Sequence, residues 1–211
     1  NSLEVWLATS GGDNWGGCQV WVSRDGATYT LAGTITGGHR HGTIVDTLAT
    51  GGAVDTVNTL RVGLLDAARQ LQAATQQEAD ELRTLMWVDG ELISYRTAAL
   101  VSTGVYDLTY LVRGAHNSVI GPHNAGARWA RLDGGLFRVP FTPAEIGRTI
   151  HIKLCSYNVY GVALQTLDEV SAQTYTITGY ARTRLPVDIT APATPTVTTV
   201  ANNVWPYTGH I

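Results

Sequence analysis

The chain has 211 residues, of which only 15% are charged and 44% are hydrophobic, room for one large domain or two small ones at roughly 100–200 residues each. With 14 basic against 17 acidic residues and a net charge of -3, it lacks the basic stripe that grips phosphates, which argues against a nucleic-acid partner. No apolar run approaches the roughly 20 residues that span a bilayer, and residues 1–10 lack the basic start and apolar stretch of a signal peptide, so no membrane-spanning segment is expected.

The 23 glycines, together with abundant Val, Thr, Trp and Tyr, predict a mainly β, all-β fold class. Leu3-Glu4-Val5-Trp6-Leu7 alternates as a strand and has no initiator Met before it, so the sequence is read as a piece of a longer protein. Strands are then expected at Cys18 to Ser23 and Tyr29 to Ile35, joined by a two-residue Asp25-Gly26 hairpin turn. From Thr36 to Val57 glycines break the alternation, predicting loop with one short strand near Ile44-Val45.

Asn58 to Leu65 is the next strand, and Leu71 and Ala73 are placed on another. Thr75-Gln76-Gln77-Glu78 has the capping-box pattern, which predicts a helix starting at Thr75 with Ala79, Leu82 and Leu85 or Met86 inward. Asp89-Gly90 between Met86-Trp87-Val88 and Glu91-Leu92-Ile93 is the clearest hairpin in the chain. Further strands are predicted at Glu91 to Ala98, Val105 to Val112, Ala127 to Leu132, Leu136 to Phe141, Ile150 to Tyr157 and Tyr175 to Gly179. Cys18 shares a face with Val20 and Val22, whereas Cys155 opposes the face of Ile152 and Leu154, which disfavours a disulfide. Two reduced thiols suit assembly in a cytoplasm.

The stretch from Cys18 to Gly33 resembles the middle hairpin of a fibronectin type III module. Ile150 to Gly161, ending Asn158-Val-Tyr-Gly, resembles that module's penultimate strand. The two halves stand far further apart than in one module, which implies an inserted domain. The expected organisation is a discontinuous fibronectin type III-like β-sandwich over 1–57 plus 134–181, a small β-barrel or β-rich insert with one short helix over 58–133, and a Pro/Thr-rich linker over 182–211 leading to a further module.

The insert carries a second resemblance. Val88-Asp-Gly-Glu-Leu-Ile-Ser-Tyr95, Tyr106 to Gly114 with its Leu111-Val-Arg-Gly, and His123-Asn-Ala-Gly-Ala-Arg128 are similar to the tail-tip or baseplate-hub proteins of long-tailed phages and gene transfer agents. The likeness runs from about Leu3 to Gly179, and Ala115-His116-Asn117-Ser118 departs from it, since relatives there carry more glycine or arginine. It implies a structural role in the virion tail tip, assembled in the host cytoplasm. The implied partners are sister subunits in a homotrimer, tail tube and distal tail proteins, and a host surface receptor. It brings no catalytic residues and no cofactor.

Among side chains that could carry chemistry, His39-Arg40-His41 has the His-x-His spacing of a metal site, with Asp46 as a carboxylate. The flanking Gly37, Gly38 and Gly42 instead suggest a solvated loop or a subunit contact. His116 and His123 with Asp107 or Asp133 make an acid–base pair on paper only. There is no Gly-x-Ser-x-Gly elbow and no phosphate-cradling Lys-Ser/Thr loop, so neither an enzyme nor a metal protein is expected. Arg113, Arg128, Arg131 and Arg138 read as scattered surface charge or as lining for a subunit boundary. Trp6 and Trp21 are assigned to sheet packing, while Trp15, in the glycine-rich turn Asp13 to Gly17, is open between turn packing and partner contact. The residues named for partner or receptor contact are therefore Trp15, His39, Arg40 and His41, and the second functional class is a receptor- or glycan-binding adhesin.

Overall fold

A computed structural model describes residues 3–162, 164–177 and 196–202. The chain is mainly β and antiparallel throughout. Its strands are β1 (Leu3–Ser10), β2 (Trp15–Ser23), β3 (Thr30–Ile35), β4 (His41–Ile44), β5 (Val54–Asp55), β6 (Leu60–Leu64), β7 (Met86–Val88), β8 (Glu91–Ser102), β9 (Val105–Val112), β10 (Arg128–Arg131), β11 (Phe137–Phe141), β12 (Thr149–Asn158), β13 (Gln173–Thr176) and β14 (Thr196–Asn202). One α-helix, α1 (Gln76–Asp80), precedes β7. Among the described residues no helix is long and apolar enough to cross a membrane.

Two small sheets, β11-β1-β14 and β13-β12-β2-β3, face each other. Alternation along each strand drives this: Leu3, Val5 and Leu7 of β1, Cys18, Val20 and Val22 of β2, and Ile150, Ile152 and Leu154 of β12 point into one shared core with Val139, Phe141 and Tyr175. The pairing of β2 with β12 sets Val22 beside Ile152 and Val20 beside Leu154, joining residues from opposite ends of the sequence. It also sets Cys18 beside Ser156 and Cys155 beside Gln19, so the two free, buried thiols occupy opposite faces.

Between these halves, β9-β6-β4-β10-β7-β8 closes on itself through a β8–β9 pairing, and β5 adds to β9 outside the ring. This six-stranded barrel is filled by Ile44, Leu60, Val62, Met86, Ile93, Tyr95, Leu108, Leu111 and Trp129. Its β7–β8 turn is the two-residue hairpin expected from the sequence, with Val88 opposite Glu91 and positive φ at both Asp89 (39°) and Gly90 (107°), the geometry that matches strand twist. The expected capping box also forms. Thr75 accepts from the Glu78 amide, and the Glu78 carboxylate accepts from the Thr75 amide at 2.8 Å.

Four expectations need correction. The change from sandwich to barrel falls between Ile35 and His41, not at Asn58, because β4 and β5 pair within the barrel sheet. Asp25-Gly26 is not a two-residue turn. The Asp25 carboxylate accepts from the Ala27 and Thr28 amides at 2.9 and 2.8 Å, which holds a wider loop whose strands meet again at Val22 and Thr30. Leu71 and Ala73 lie in no strand, and the helix ends after Asp80, so Met86 is buried from β7. Of the expected linker over 182–211, residues 196–202 form β14 along β1, and the rest lies outside the described residues, as do Thr178 and Gly179.

Candidate functional site

Of the residues singled out by sequence, His39, Arg40 and His41 lie at the seam where the chain passes from sandwich to barrel. An apolar patch of Ala8, Trp87, Ala130 and Leu136, backed by Trp6, Leu92 and Leu132, joins the two bodies. His39 is tied into this seam from both sides. Its amide donates to the Thr9 carbonyl at 2.9 Å, and its ring spans from Nδ1, 3.0 Å from the Thr9 amide, to Nε2, 2.7 Å from the Gly135 carbonyl. A carbonyl only accepts, so Nε2 carries a proton toward Gly135, while Nδ1 faces both the Thr9 amide and, also at 3.0 Å, the Thr9 carbonyl. His41 is fully buried on β4, with Nε2 3.0 Å from Ser10 Oγ. Burial lowers the pKa of both rings, that of His41 to about 3, with His39 and Arg128 adding to the effect at His41.

Burial therefore corrects the expectation of a solvated loop, and it removes His39 and His41 as receptor contacts. Arg40 is half-exposed and pairs with Asp133 at 2.9 Å while donating to the Gln70 carbonyl. Trp15 packs against the sandwich core, and its indole donates to Ser156 Oγ at 3.1 Å. The side chain packs there while remaining half-buried. Asp46 is bound to Arg61, away from the histidines, and among the described residues no three His, Cys, Asp or Glu side chains are grouped to hold a metal.

A second polar cluster lies at one end of the barrel; sequence reasoning put Arg113 among surface or subunit-boundary charges, which its complete burial corrects, and brought Glu91, Arg113 and His123 together only through the resemblance. Glu91 opens β8 on the same inward face as Ile93 and Tyr95. Arg113 reaches it because Tyr110 has a left-handed backbone, φ 54°. That shifts the alternation of β9, so that after Leu108 it is Leu111 and then Arg113 that turn inward. Arg113 grips Glu91 with two bonds, Nε to Oε1 at 3.0 Å and Nη2 to Oε2 at 2.6 Å, and both side chains are sealed from solvent. The amides of Gly114 and Gly121 donate to the same carboxylate, as does His123 Nε2 at 2.9 Å. The remaining Arg113 donors reach the Ala49 and Gly121 carbonyls, with Asp55 3.7 Å away.

Burial raises the Glu91 pKa, but the bonds from His123 and Arg113 outweigh it and the net direction is down. Asp55 follows the same balance, burial opposed chiefly by bonds from Asn58. A buried charge is tolerated only when paired and hydrogen-bonded, and here the partners of Glu91 come from two segments, Arg113-Gly114 and Gly121 to His123. The knot therefore locks the loops carrying Ala49, Gly114 and Gly121 onto the start of β8. His123 Nδ1 lies 3.7 Å from Asp89 and makes no hydrogen bond among the described residues.

A histidine aligned by a buried carboxylate is half of an acid–base pair. The paper pairings expected from the sequence do not form: Asp107 is held by both ends of Arg61 and Asp133 by Arg40, while His116 sits apart in a short turn. The one cue in the sequence was Glu91 itself, an acid at the inward phase of an otherwise apolar alternation.

Fold and site together define a mainly β protein of two bodies, one a closed barrel fastened by a buried ionic knot. A family model described as Rcc01698-like, C-terminal, matches residues 39–130, which is the barrel from just before β4 to within β10. No curated protein matches the chain.

Proposed function

We propose that this chain is a structural component of a phage tail tip, a baseplate hub or central fibre base that closes the tail tube and links it to the host-recognition region. One observation carries the reading. The separate pieces that resemble hub proteins, Glu91 after the Asp89-Gly90 turn, Arg113-Gly114 and His123, converge on one carboxylate. They act as a fastener and not as a catalytic array. In this reading the seven strands outside the barrel form a fibronectin type III-like sandwich interrupted by the barrel. Outer faces of low charge dock against sister subunits of a homotrimer and against tail tube and distal tail proteins, within the virion tail tip.

The adhesin alternative leaned on Trp15, His39, Arg40 and His41. The burial of His39 and His41 leaves it Arg40 and the half-buried Trp15 of that set.

Gold-labelled antibody against this chain, imaged on particles of the phage-like entity that encodes it, tests the proposal. Label confined to the tail end is expected. Label along fibres would favour the adhesin, and label on cells but never on particles would overturn the tail-tip reading.

A further inference from the structure

Where the outgoing and returning linkers pass the seam, they leave a cleft of about 670 Å³ lined by residues 34–40, 133–138 and Arg69. Its volume is that of a small-ligand site, and it lies between two bodies, where such sites concentrate.

Its arginines set it apart. Arg40, Arg69 and Arg138 line it, and each faces one carboxylate, Asp133, Asp66 and Glu4 in turn, so its charge is balanced and what it offers a ligand is guanidinium donors. His39, in the same wall, is held neutral by burial. The arginines are built in but not used up. Arg40 spends Nε on the Gln70 carbonyl and Nη1 on Asp133, leaving Nη2. Arg69 spends Nε on Asp66 at 3.3 Å, leaving both Nη atoms. Arg138 stacks 4.5 Å over the Trp6 ring, with Nη1 3.8 Å from Glu4. Among the described residues these nitrogens have no further partner, and each side chain is roughly two-fifths exposed, at 41%, 44% and 44%.

Two glycines keep the cleft in this form. A Cβ on Gly37 would stand 2.8 Å from Arg69 Nη2, and one on Gly38 would stand 2.6 Å from Asp66 Oδ2, so a side chain at either position would push aside an end of the Arg69–Asp66 pair. Gly134 and Gly135 form the opposite wall. Planar guanidinium forks with free donors, set among bare backbone, match an oxyanion better than any neutral ligand.

We infer that this cleft binds a small anionic ligand through a carboxylate or phosphate group. The ligand bridges Arg40 and Arg69, carried by the barrel and its linker, to Arg138 on the sandwich strand β11, and so ties the two bodies together. The inference is independent of the tail-tip reading.

Calorimetric titration of the whole chain at low salt, in a zwitterionic buffer, tests it with three probes: inorganic phosphate, glucuronate, and glucose as the neutral control. Saturable binding of at least one anion is expected, weakening as salt rises, with no heat from glucose. Binding of phosphate alone identifies a phosphate ester as the natural source, and binding of glucuronate alone identifies an acidic sugar. The double variant Arg69→Gln/Arg138→Gln should weaken binding at least about tenfold, since charge-assisted bonds are lost. Should it unfold early, Arg69→Gln alone is compared, because that side chain pairs only with Asp66. Silence with both anions up to about 10 mM, equal affinity in the variant, or equal binding of glucose would overturn the inference.

Discussion

The sandwich and the barrel are built from the same antiparallel strands, yet they close their interiors in different ways. The sandwich core consists of aliphatic side chains with Cys18, Phe141 and Tyr175, and among the described residues its outer strands β3, β11, β13 and β14 each pair on one side only. The barrel has no free edge around its ring, and at one end it seals Glu91, Arg113, Asp55 and His123. Apolar packing degrades in proportion to what is removed. An ionic knot does not: taking one partner leaves the other charged, buried and unpaired.

Removing one partner from the knot should therefore be the costliest single change. Arg113→Ala is expected to destabilise by about 3–5 kcal/mol, measured by urea unfolding, with hydrogen exchange rising in the barrel before the sandwich. Arg113→Met combined with Glu91→Leu sharpens the contrast, because an apolar replacement of the whole pair should recover most of the loss. A double variant as unstable as the single one would mean that the knot's backbone bonds, not its charge balance, dominate. In the sandwich, Leu7→Ala removes a fully buried side chain and should cost about 3 kcal/mol, with exchange rising there first.

At the seam, His41 has a folded-state pKa of about 3 against an ordinary value of 6.5. Protons therefore bind the unfolded chain more readily. The stability that depends on the neutral ring is complete above pH 6.5, and it is lost progressively as pH falls toward 3. At pH 5 this one group should account for a loss of about 2 kcal/mol, and His39 acts in the same direction. Acid unfolding of wild type against His41→Gln measures it, and parallel curves would break the assignment. The smallest effect is expected at the β7–β8 turn, where Gly90→Ala at φ 107° should cost about 1 kcal/mol, read as a lowered thermal midpoint.

What was legible in the sequence was what local chemistry decides. Asp89-Gly90 and the Thr75 cap were read correctly because turn and cap residues act within a few positions. The same rule failed at Asp25, where the aspartate's own carboxylate captured two amides and widened the loop. The glycines around His39 suggested flexibility, yet Gly42 is a close-approach position whose Cβ would strike the Gly63 carbonyl of the neighbouring strand. That is why only the end of β4, near Ile44-Val45, was read as strand and its start as loop, and why the domain boundary was placed too late. The knot was hidden for a different reason. Its members are separated by whole strands, and the inward turn of Arg113 depends on the left-handed Tyr110, a conformation that tyrosine rarely adopts.

The bond from His39 Nε2 to the Gly135 carbonyl, 2.7 Å long, and the Arg40–Asp133 pair at 2.9 Å fasten the outgoing linker to the returning one at the barrel's base. Tension applied along the sandwich would cross from one linker to the other there, through the paired β1 and β11 strands, whose Leu7 and Phe137 stand side by side just beyond. The barrel hangs outside that load path as a side branch. For a pull on the sandwich to reach the barrel, both clasps and the apolar seam of Ala8, Trp87, Ala130 and Leu136 would have to part.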